Sequence, residues 1–470
     1  MPESGSWTSA LLVSALVLSC AASAQQPRAP AIRAPAPKTD ASAPATTIKV
    51  QVNQVLVPVV VTDKRGHNVT GLKVKDFEVL ENGVEQKVSA FQTENDREPE
   101  DIPAVPIDPN IAPAQAAPKS EPNAKAHVRR TYLICLDTIN SSFSNFTYVR
   151  GALHKLFKQE DGGDSLYAIL TMGRTLAVPQ NLTSDPATVL SAIGSKELTR
   201  AIQQSESMNL KHQEDELNQM LEDYCGRCPC AGSAAATGRM ATGSDTVCDG
   251  KLEKIEMWAG SAAEERSFLT RSFLQNLRAV VSRMSQMPGK RILVFVSDGF
   301  NTHPGRDLFG VIAAYTRDPG VMMNSSINDA EPEIQDILRI ASAHDVVFYT
   351  LDSRGLTPPG GGTFDASEEA HLTRASVIMP EILQQKETTE IENQEPLAEL
   401  AQATGGVFFH NNNDLFKGMK QAFADGREYY LLAYVSTNQA TDGKFREIKV
   451  IVNGKNLTVR AKHGYWAPAG

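Results

Sequence analysis

Two unbroken apolar runs, each ending in an aspartate, constrain the fold of this chain most strongly. One run leads from Thr131 to Asp137, and the other leads from Arg291 to Asp298. Neither run alternates between apolar and polar residues, which is typical of strands that are covered on both faces of a parallel sheet. Open α/β sheets bind their ligands at the carboxyl ends of such strands. We therefore expect both aspartates at a ligand-binding edge.

Hydroxyl side chains near both aspartates indicate a site for a metal ion. Ser141 and Ser142 follow Asp137, and Ser297 directly precedes Asp298. Carboxylate and hydroxyl oxygens are the ligands that hard divalent cations such as Mg²⁺ prefer. An alternative stays open, because strand ends also often carry Asp as a turn or helix-cap residue.

This pair of segments resembles the metal-ion-dependent adhesion site of von Willebrand factor A domains, where one strand ends in Asp-x-Ser-x-Ser and a later strand in Thr-Asp-Gly. Residues 297–299, Ser-Asp-Gly, are close to the second motif. Asp137 and Ser141 match the first motif, but Ile139 replaces its first serine. The resemblance implies that Asp137, Ser141 and Asp298 bind Mg²⁺ or another divalent cation.

The replacement at Ile139 removes one hydroxyl ligand, so the resemblance implies a degenerate adhesion site. Mg²⁺ requires near-octahedral oxygen coordination, and the loss should weaken binding unless water or Asn140 takes the vacant position. The family's threonine ligand comes from an intervening loop, for which Thr199 is the candidate.

Four segments are similar to the von Willebrand factor A-related proteins described from acidobacteria. They are residues 57–72 running into 76–83, residues 137–143, residues 180–186, and a tail made of residues 429–434, 442–446 and 464–468. The resemblance implies a von Willebrand factor A-like fold and an exported location, and it implies little about function.

The N-terminus has the features of an export signal. An apolar run from Ala10 to Leu18 precedes the small-x-small sequence at residues 22–24, and the run is too short to span a membrane. We predict a signal peptide at residues 1–24 and export to the periplasm, the cell surface or the medium. The alternative is a lipoprotein modified at Cys20. Either route leads to an oxidising compartment.

Changes in composition divide the rest of the chain. Pro/Ala-rich linkers at residues 25–46 and 96–127 flank an alternating β segment at 47–95. Strands and helices then alternate through residues 128–425, which predicts an α/β, von Willebrand factor A-like (Rossmann-like) domain with a mostly parallel sheet and helices on both faces. A second β segment covers residues 426–470. Neither β segment has enough strands to be stable alone, so we expect them to form one small antiparallel module.

A helical insertion at residues 197–263 carries four cysteines, Cys225, Cys228, Cys230 and Cys248. In an exported protein this even cluster predicts two disulfides that staple the tip of a helical hairpin without a core of its own. A zinc site is the alternative, although zinc usually needs a second closely spaced pair. Cys135 lies inside the first apolar run and is expected to be an inert core thiol.

The charge and the motifs of the chain favour a binding protein. A net charge of −9 argues against a nucleic-acid partner, and no stretch after the leader is long and apolar enough to span a bilayer. His-Glu-x-x-His, Gly-x-Ser-x-Gly and Walker A motifs are absent from the sequence. We expect a non-enzymatic, adhesion-type module with a protein partner. Two alternatives stay open: a metal-free structural scaffold of a cell-envelope assembly, and a hydrolase that uses the strand-end pocket near His303.

Overall fold

A computed structural model describes residues 54–96, 100–102, 126–203, 205–228, 230, 246–325, 329–356 and 379–470. The predicted signal peptide, Cys20, the first linker and most of the second linker lie outside these residues. Within the described ranges, no helix has an apolar stretch long enough to cross a bilayer.

The strands are numbered in chain order. They are β1 Gln54–Thr62, β2 Phe77–Glu81, β3 Val84–Gln86, β4 Val88–Thr93, β5 Glu100–Ile102, β6 Ala126–Val128, β7 Arg130–Asp137, β8 Ser165–Met172, β9 Leu176–Thr183, β10 Lys290–Ser297, β11 Val346–Asp352, β12 Phe408–Phe409, β13 Tyr430–Val435, β14 Phe445–Val452, β15 Thr458–Ala461 and β16 Gly464–Trp466.

The α-helices are numbered in the same way. They are α1 Asn145–Phe157, α2 Pro186–Ile193, α3 Lys196–Gln203, α4 Ser207–Cys225, α5 Thr246–Met284, α6 Arg306–Thr316, α7 Glu331–Ala343, α8 Met379–Thr404 and α9 Leu415–Arg427. Short 3-10 helices cover Val74–Asp76, Glu94–Asp96 and Pro319–Ser325.

The central sheet has six strands in the order β12-β11-β10-β7-β8-β9. The strands from β12 to β8 are parallel, and β9 runs antiparallel to β8 at the edge. The α/β class and the mostly parallel sheet are confirmed, but β9 was not predicted. Only three residues separate β8 from β9, which is too short for a crossover helix and forces an antiparallel hairpin.

Helices cover both faces of this sheet because its side chains alternate between two apolar clusters. On β7, Leu133 and Cys135 face a cluster with α5, α7 and α8. Tyr132, Ile134 and Leu136 face the opposite cluster, which includes residues of α1, α2, α3 and α9. Cys135 is a buried free thiol, as predicted. The sheet is therefore packed between helices on both of its faces.

The two β segments form antiparallel sheets that share one core. One sheet has the order β15-β1-β13-β4, and the other has the order β16-β14-β2-β3. Val57, Val59, Leu432 and Tyr434 are among the fully buried residues between them. The pairing of β1 with β13 joins the N-terminal segment to the C-terminal one, so we refer to both sheets together as the β module.

The β module is attached to the α/β domain by polar contacts along β15 and β16. Arg460 Nη1 donates to Asp425 Oδ2 of α9 at 2.7 Å. Lys462 Nζ donates to Asp345 Oδ1 at 2.7 Å, and the backbone N–H of His463 donates to the Ala403 carbonyl at 2.9 Å. These contacts link the β module to α9, to the turn before β11 and to α8.

The helical insertion has a hydrophobic cluster of its own, which corrects the expectation of a hairpin without a core. Leu217 and Leu221 of α4 pack with Ile255 of α5 and with Phe309 and Ile312 of α6. Helix α5 also continues from the insertion into the domain without a break, over 39 residues. The insertion is therefore anchored on the domain and does not stand free from it.

All four cysteines of the insertion are paired. Disulfides join Cys225 to Cys230 and Cys228 to Cys248. The prediction of two disulfides is confirmed. Cys228, Cys230 and Cys248 are buried within the same hydrophobic cluster, so the bridges reinforce a packed region.

Candidate functional site

The two predicted aspartates lie on neighbouring strand ends. Asp137 is the last residue of β7, Asp298 follows the last residue of β10, and β7 and β10 are adjacent and parallel. From β7 the chain continues to β8 and β9 on one side, and from β10 it continues to β11 and β12 on the other. The pair therefore flanks the topological switch point, where open α/β sheets form their ligand crevice.

Hydrogen-bond donors surround the carboxylate of Asp137. The backbone N–H groups of Ile139 and Asn140 donate to Oδ1 at 2.9 and 3.1 Å. Asn140 Nδ2 and Ser297 Oγ donate to Oδ2 at 2.8 and 2.7 Å. The side chain is fully buried. A carboxylate can accept about four hydrogen bonds, so the acceptor capacity of Asp137 is used within the protein.

Asp298 is held in the same manner by residues that follow β7 and β11. The backbone N–H of Ser142 and the amide Nδ2 of Asn145 donate to its Oδ2 at 2.9 and 2.8 Å, and Ser353 Oγ donates to its Oδ1. The backbone N–H of Asp298 in turn donates to Ser141 Oγ at 3.0 Å. These bonds join three loops at the sheet edge into one network, which we call the strand-end network.

Burial raises the pKa of both carboxyl groups. For Asp137 the hydrogen bonds from Asn140 and Ser297 oppose this rise. For Asp298 burial raises the pKa to about 6, against the hydrogen bonds from Ser353, Ser142 and Asn145. The ionised form of each group thus depends on neutral donors, because desolvation penalises a buried charge.

A third strand-end aspartate, Asp352, was not among the predicted site residues. It ends β11 and is buried, and Arg354 donates to both of its carboxylate oxygens, with Nε–Oδ1 and Nη2–Oδ2 distances of 3.0 and 2.9 Å. Gln394 Nε2 donates to Oδ2 at 3.1 Å. The signal was present, because Val346–Asp352 is another unbroken apolar run that ends in Asp.

The arrangement of the predicted ligands fits a divalent cation poorly. Amide and hydroxyl groups donate hydrogen bonds to the carboxylates of Asp137 and Asp298. These bonds occupy the oxygen lone pairs that a cation would need as ligands. The Ile139 side chain is buried in the core cluster beside β7, so its position offers no ligand. Among the described residues, no group of three or more His, Cys, Asp or Glu side chains is placed to hold a metal ion.

Thr199, the candidate for the remaining ligand, makes its hydrogen bonds elsewhere. It lies on α3, where its hydroxyl accepts from Arg150 Nη2 at 3.0 Å and donates to the Ser195 carbonyl at 2.9 Å. The roles of Asp137, Ser141 and Asp298 as metal ligands stay predictions.

A cleft of about 490 Å³ opens above the strand-end network. Helices α4 and α5, the loop after β10 and helix α8 form its walls. Its apolar lining residues are Ile139, Leu210, Leu269, Phe300 and Pro304, and its uncharged polar ones include Asn140, Ser207, Thr270, Asn301, Thr389 and Asn393. The insertion, which looked like an appendage in the sequence, therefore supplies one wall of the candidate site.

Both arginines that line the cleft form ion pairs with neighbouring carboxylates. Arg266 is buried and forms ion pairs with Asp307 and Glu214. Arg354 pairs with Asp352 and Glu390. A charged ligand would have to break existing ion pairs in a partly buried site, which is costly. The cleft is consequently suited to an uncharged ligand surface.

Comparisons with known proteins leave the family open. No protein-family model matches the chain, and no curated protein matches it. Among solved structures, the chain is similar to the conserved hypothetical protein BatB from Bacteroides thetaiotaomicron, with 12% identity, a TM-score of 0.25, and coverage of 63% of this chain and 98% of that one.

Two further solved structures are similar at the same low level. An aerotolerance-related membrane protein from Bacteroides fragilis shows 11% identity and a TM-score of 0.25, with coverage of 62% of this chain and 97% of that one. Proximal thread matrix protein 1 from the mussel byssus shows 9% identity and a TM-score of 0.26, with coverage of 63% and 47%. Scores this low carry no argument about function, which has to come from the residues of this chain.

Proposed function

We propose that this chain is an exported, non-enzymatic binding module with a von Willebrand factor A-like fold, which receives an uncharged segment of a partner protein in the strand-end cleft without a divalent ion. The observation that carries this proposal is the cleft at the switch point, above carboxylates that internal donors already occupy. Ligand sites of about 300–1,000 Å³ are typical of such crevices. The two disulfides support export to an oxidising compartment.

The donors around Asp137 and Asp298 support the proposal that binding is independent of metal. A bound cation would have to displace Asn140, Asn145 and two serine hydroxyls from the carboxylates. Each displaced donor would lose a charge-assisted hydrogen bond inside a buried network, and such bonds are about twice as strong as neutral ones. The donors thus stabilise the two carboxylates, as a bound cation would.

The hydrolase alternative receives little support from the residues in the cleft. A nucleophile needs a base within hydrogen-bonding distance. The described residues that line the cleft include hydroxyl groups but no histidine. His303 lies outside this lining, where its Nδ1 is 3.2 Å from Thr302 Oγ1 and its Nε2 is 3.9 Å from Asp329 Oδ1.

A blocked cleft tests the proposal. Thr270 lines the cleft from α5, and its neighbour Arg271 is exposed to solvent. A displayed peptide library is selected on the immobilised chain in the presence of EDTA, and enriched peptides are then titrated into the variants Thr270→Trp and Arg271→Trp. We expect a loss of about tenfold or more in affinity for Thr270→Trp, equivalent to about 1.4 kcal/mol, and none for Arg271→Trp.

Two results would contradict the proposal. One is a set of peptides whose affinity is the same for both tryptophan variants, which would place binding outside the cleft. The other is binding that requires Mg²⁺ or Mn²⁺, which would restore the metal-dependent adhesion site. If neither a peptide nor a metal binds a folded chain, the scaffold alternative is favoured.

A further inference from the structure

A second cavity, of about 450 Å³, lies where helices α7 and α8 meet the β module. We call it the β-module groove. Two aromatic side chains, Phe445 and Trp466, form one side, and Gln335, Glu399, Gln402 and His463 supply polar groups. It shares no lining residue with the strand-end cleft. The groove is therefore a separate candidate site.

The aromatic side of the groove is exposed, and its two rings are in contact. Phe445 is 43% exposed, and its ring stands edge-on to that of Trp466, with centroids 4.8 Å apart and an interplanar angle of 63°. Gly464 makes this arrangement possible, because a β-carbon at that position would overlap the Phe445 ring. A large ring held in place at the surface offers a flat apolar platform at little cost in side-chain entropy.

Polar groups without partners face the same groove. Among the described residues, the side chains of Gln402 and His463 have no hydrogen-bond or ion-pair partner. Gln335 Nε2 donates to Glu399 Oε1 at 2.8 Å, and the second carboxylate oxygen of Glu399 has no partner in the described part of the chain. The groove thus offers an amide, an imidazole and a carboxylate oxygen for hydrogen bonds to a ligand.

We propose that the β-module groove binds a neutral saccharide. A sugar ring has an apolar C–H face, which packs on the negative face of an aromatic ring, and it has hydroxyl groups around its edge that both donate and accept. The carboxylate of Glu399 can accept from one hydroxyl, and the Gln402 amide can accept from one and donate to another. The cavity volume lies in the range of small-molecule sites, roughly 300–1,000 Å³.

Charge in the groove argues for a neutral sugar. The Arg339 guanidinium lies over the Trp466 ring at 5.8 Å, so one face of the indole is already occupied by a cation. The two rings are also in contact with each other, which leaves no space for an ammonium group between them. Glu399 would repel an acidic sugar. A neutral hexose or N-acetylhexosamine unit avoids both conflicts.

The test uses the full exported chain and a panel of immobilised neutral glycans built from glucose, mannose, galactose and N-acetylglucosamine units. Soluble oligosaccharides that match the bound glycans are then titrated while tryptophan fluorescence is recorded. Trp466 reports directly on the groove, and Trp466→Phe separates its signal from that of Trp258, the other tryptophan that follows the predicted signal peptide.

We expect Phe445→Ala to weaken glycan binding about tenfold, equivalent to about 1.4 kcal/mol. Gln402→Ala tests the polar side of the groove independently and lies on the exposed surface of α8, where it should not disturb folding. Phe268→Ala is the matched control, since this phenylalanine is also exposed, at 61%, but lies on α5 outside the groove.

Either of two results would overturn the proposal. The first is a folded wild-type chain that binds none of the neutral glycans. The second is a glycan affinity of the Phe445→Ala and Gln402→Ala variants that equals the affinity of the control variant Phe268→Ala.

Discussion

The strand-end cleft and the β-module groove are cavities of similar size that treat their polar groups in opposite ways. In the cleft, Asp137 and Asp298 are surrounded by donors from the protein, and Arg266 and Arg354 form ion pairs. In the groove, Gln402 and His463 have no partner among the described residues. A ligand in the cleft must compete with internal bonds, whereas a ligand in the groove adds bonds in exchange for water. The difference teaches that a polar cavity favours polar ligands only where its hydrogen-bonding side chains have no partner in the protein.

The largest expected effect comes from Ile139→Ser, which would restore the adhesion motif in the sequence. Because Ile139 is 1% exposed and packs in the core cluster, we expect a loss of roughly 4 kcal/mol in the free energy of unfolding and no gain in metal affinity. Urea unfolding and calorimetric titration of Mg²⁺ measure the two quantities. The control is Ile391→Ser, at an isoleucine that is 55% exposed.

Tighter Mg²⁺ binding in a stable Ile139→Ser variant would break the comparison. It would show that the cleft can be reorganised around an ion, and that the internal donors give way more easily than their geometry indicates.

The second effect comes from removing a disulfide of the insertion, which forms one wall of the cleft. Replacing Cys228 and Cys248 by serine removes a bridge with a sequence separation of 20 residues, which should cost the insertion about 3 kcal/mol of stability. We expect local opening of α4 and α5, measured by hydrogen exchange, together with weaker peptide binding in the cleft. Glycan binding in the groove should stay unchanged, since α7, α8 and the β module do not include the bridge. Equal losses at both sites would contradict the separation of the two cavities.

The third effect is a change of the free energy of unfolding with pH, caused by Asp298 in the cleft. Since the pKa of Asp298 is raised to about 6, the folded chain holds this proton more tightly than the unfolded chain does. The contribution of the Asp298 carboxyl group to the free energy of unfolding is therefore largest below about pH 4 and declines as the pH rises to about 6. Asp298→Asn should remove this decline. Urea unfolding of both chains between pH 4 and 7 gives the difference curve, and a flat difference would contradict the assignment.

The smallest effect is expected from the groove itself. Gln402→Ala removes a side chain that has no partner among the described residues. The free energy of unfolding, measured with urea, should therefore change by less than about 0.5 kcal/mol, while glycan binding falls. A large loss of stability would mean that Gln402 supports the fold, and the contrast between an internally paired cleft and an open groove would disappear.

The sequence by itself determined the strands of the α/β domain and the edge at which the site lies. The runs that end at Asp137, Asp298 and Asp352 form strands because they are apolar on both faces, a property that each segment carries locally. The cysteine cluster is also a local signal. An even number of cysteines in a short segment of an exported chain predicts disulfides, and two are formed. Strand β9 escaped prediction because it is a partly exposed edge strand interrupted by Pro179.

The tertiary structure alone decided what surrounds these residues. Asp298 meets Asn145 and Ser353 only because β7, β10 and β11 are adjacent, and the bonds connect residues 153 and 55 positions apart in the chain. The groove likewise joins Gln402 of α8 to Phe445 and Trp466 of the β module. Local patterns specify which segments become strands and helices, but the partners of a buried carboxylate or an exposed ring depend on long-range packing, which no local pattern encodes.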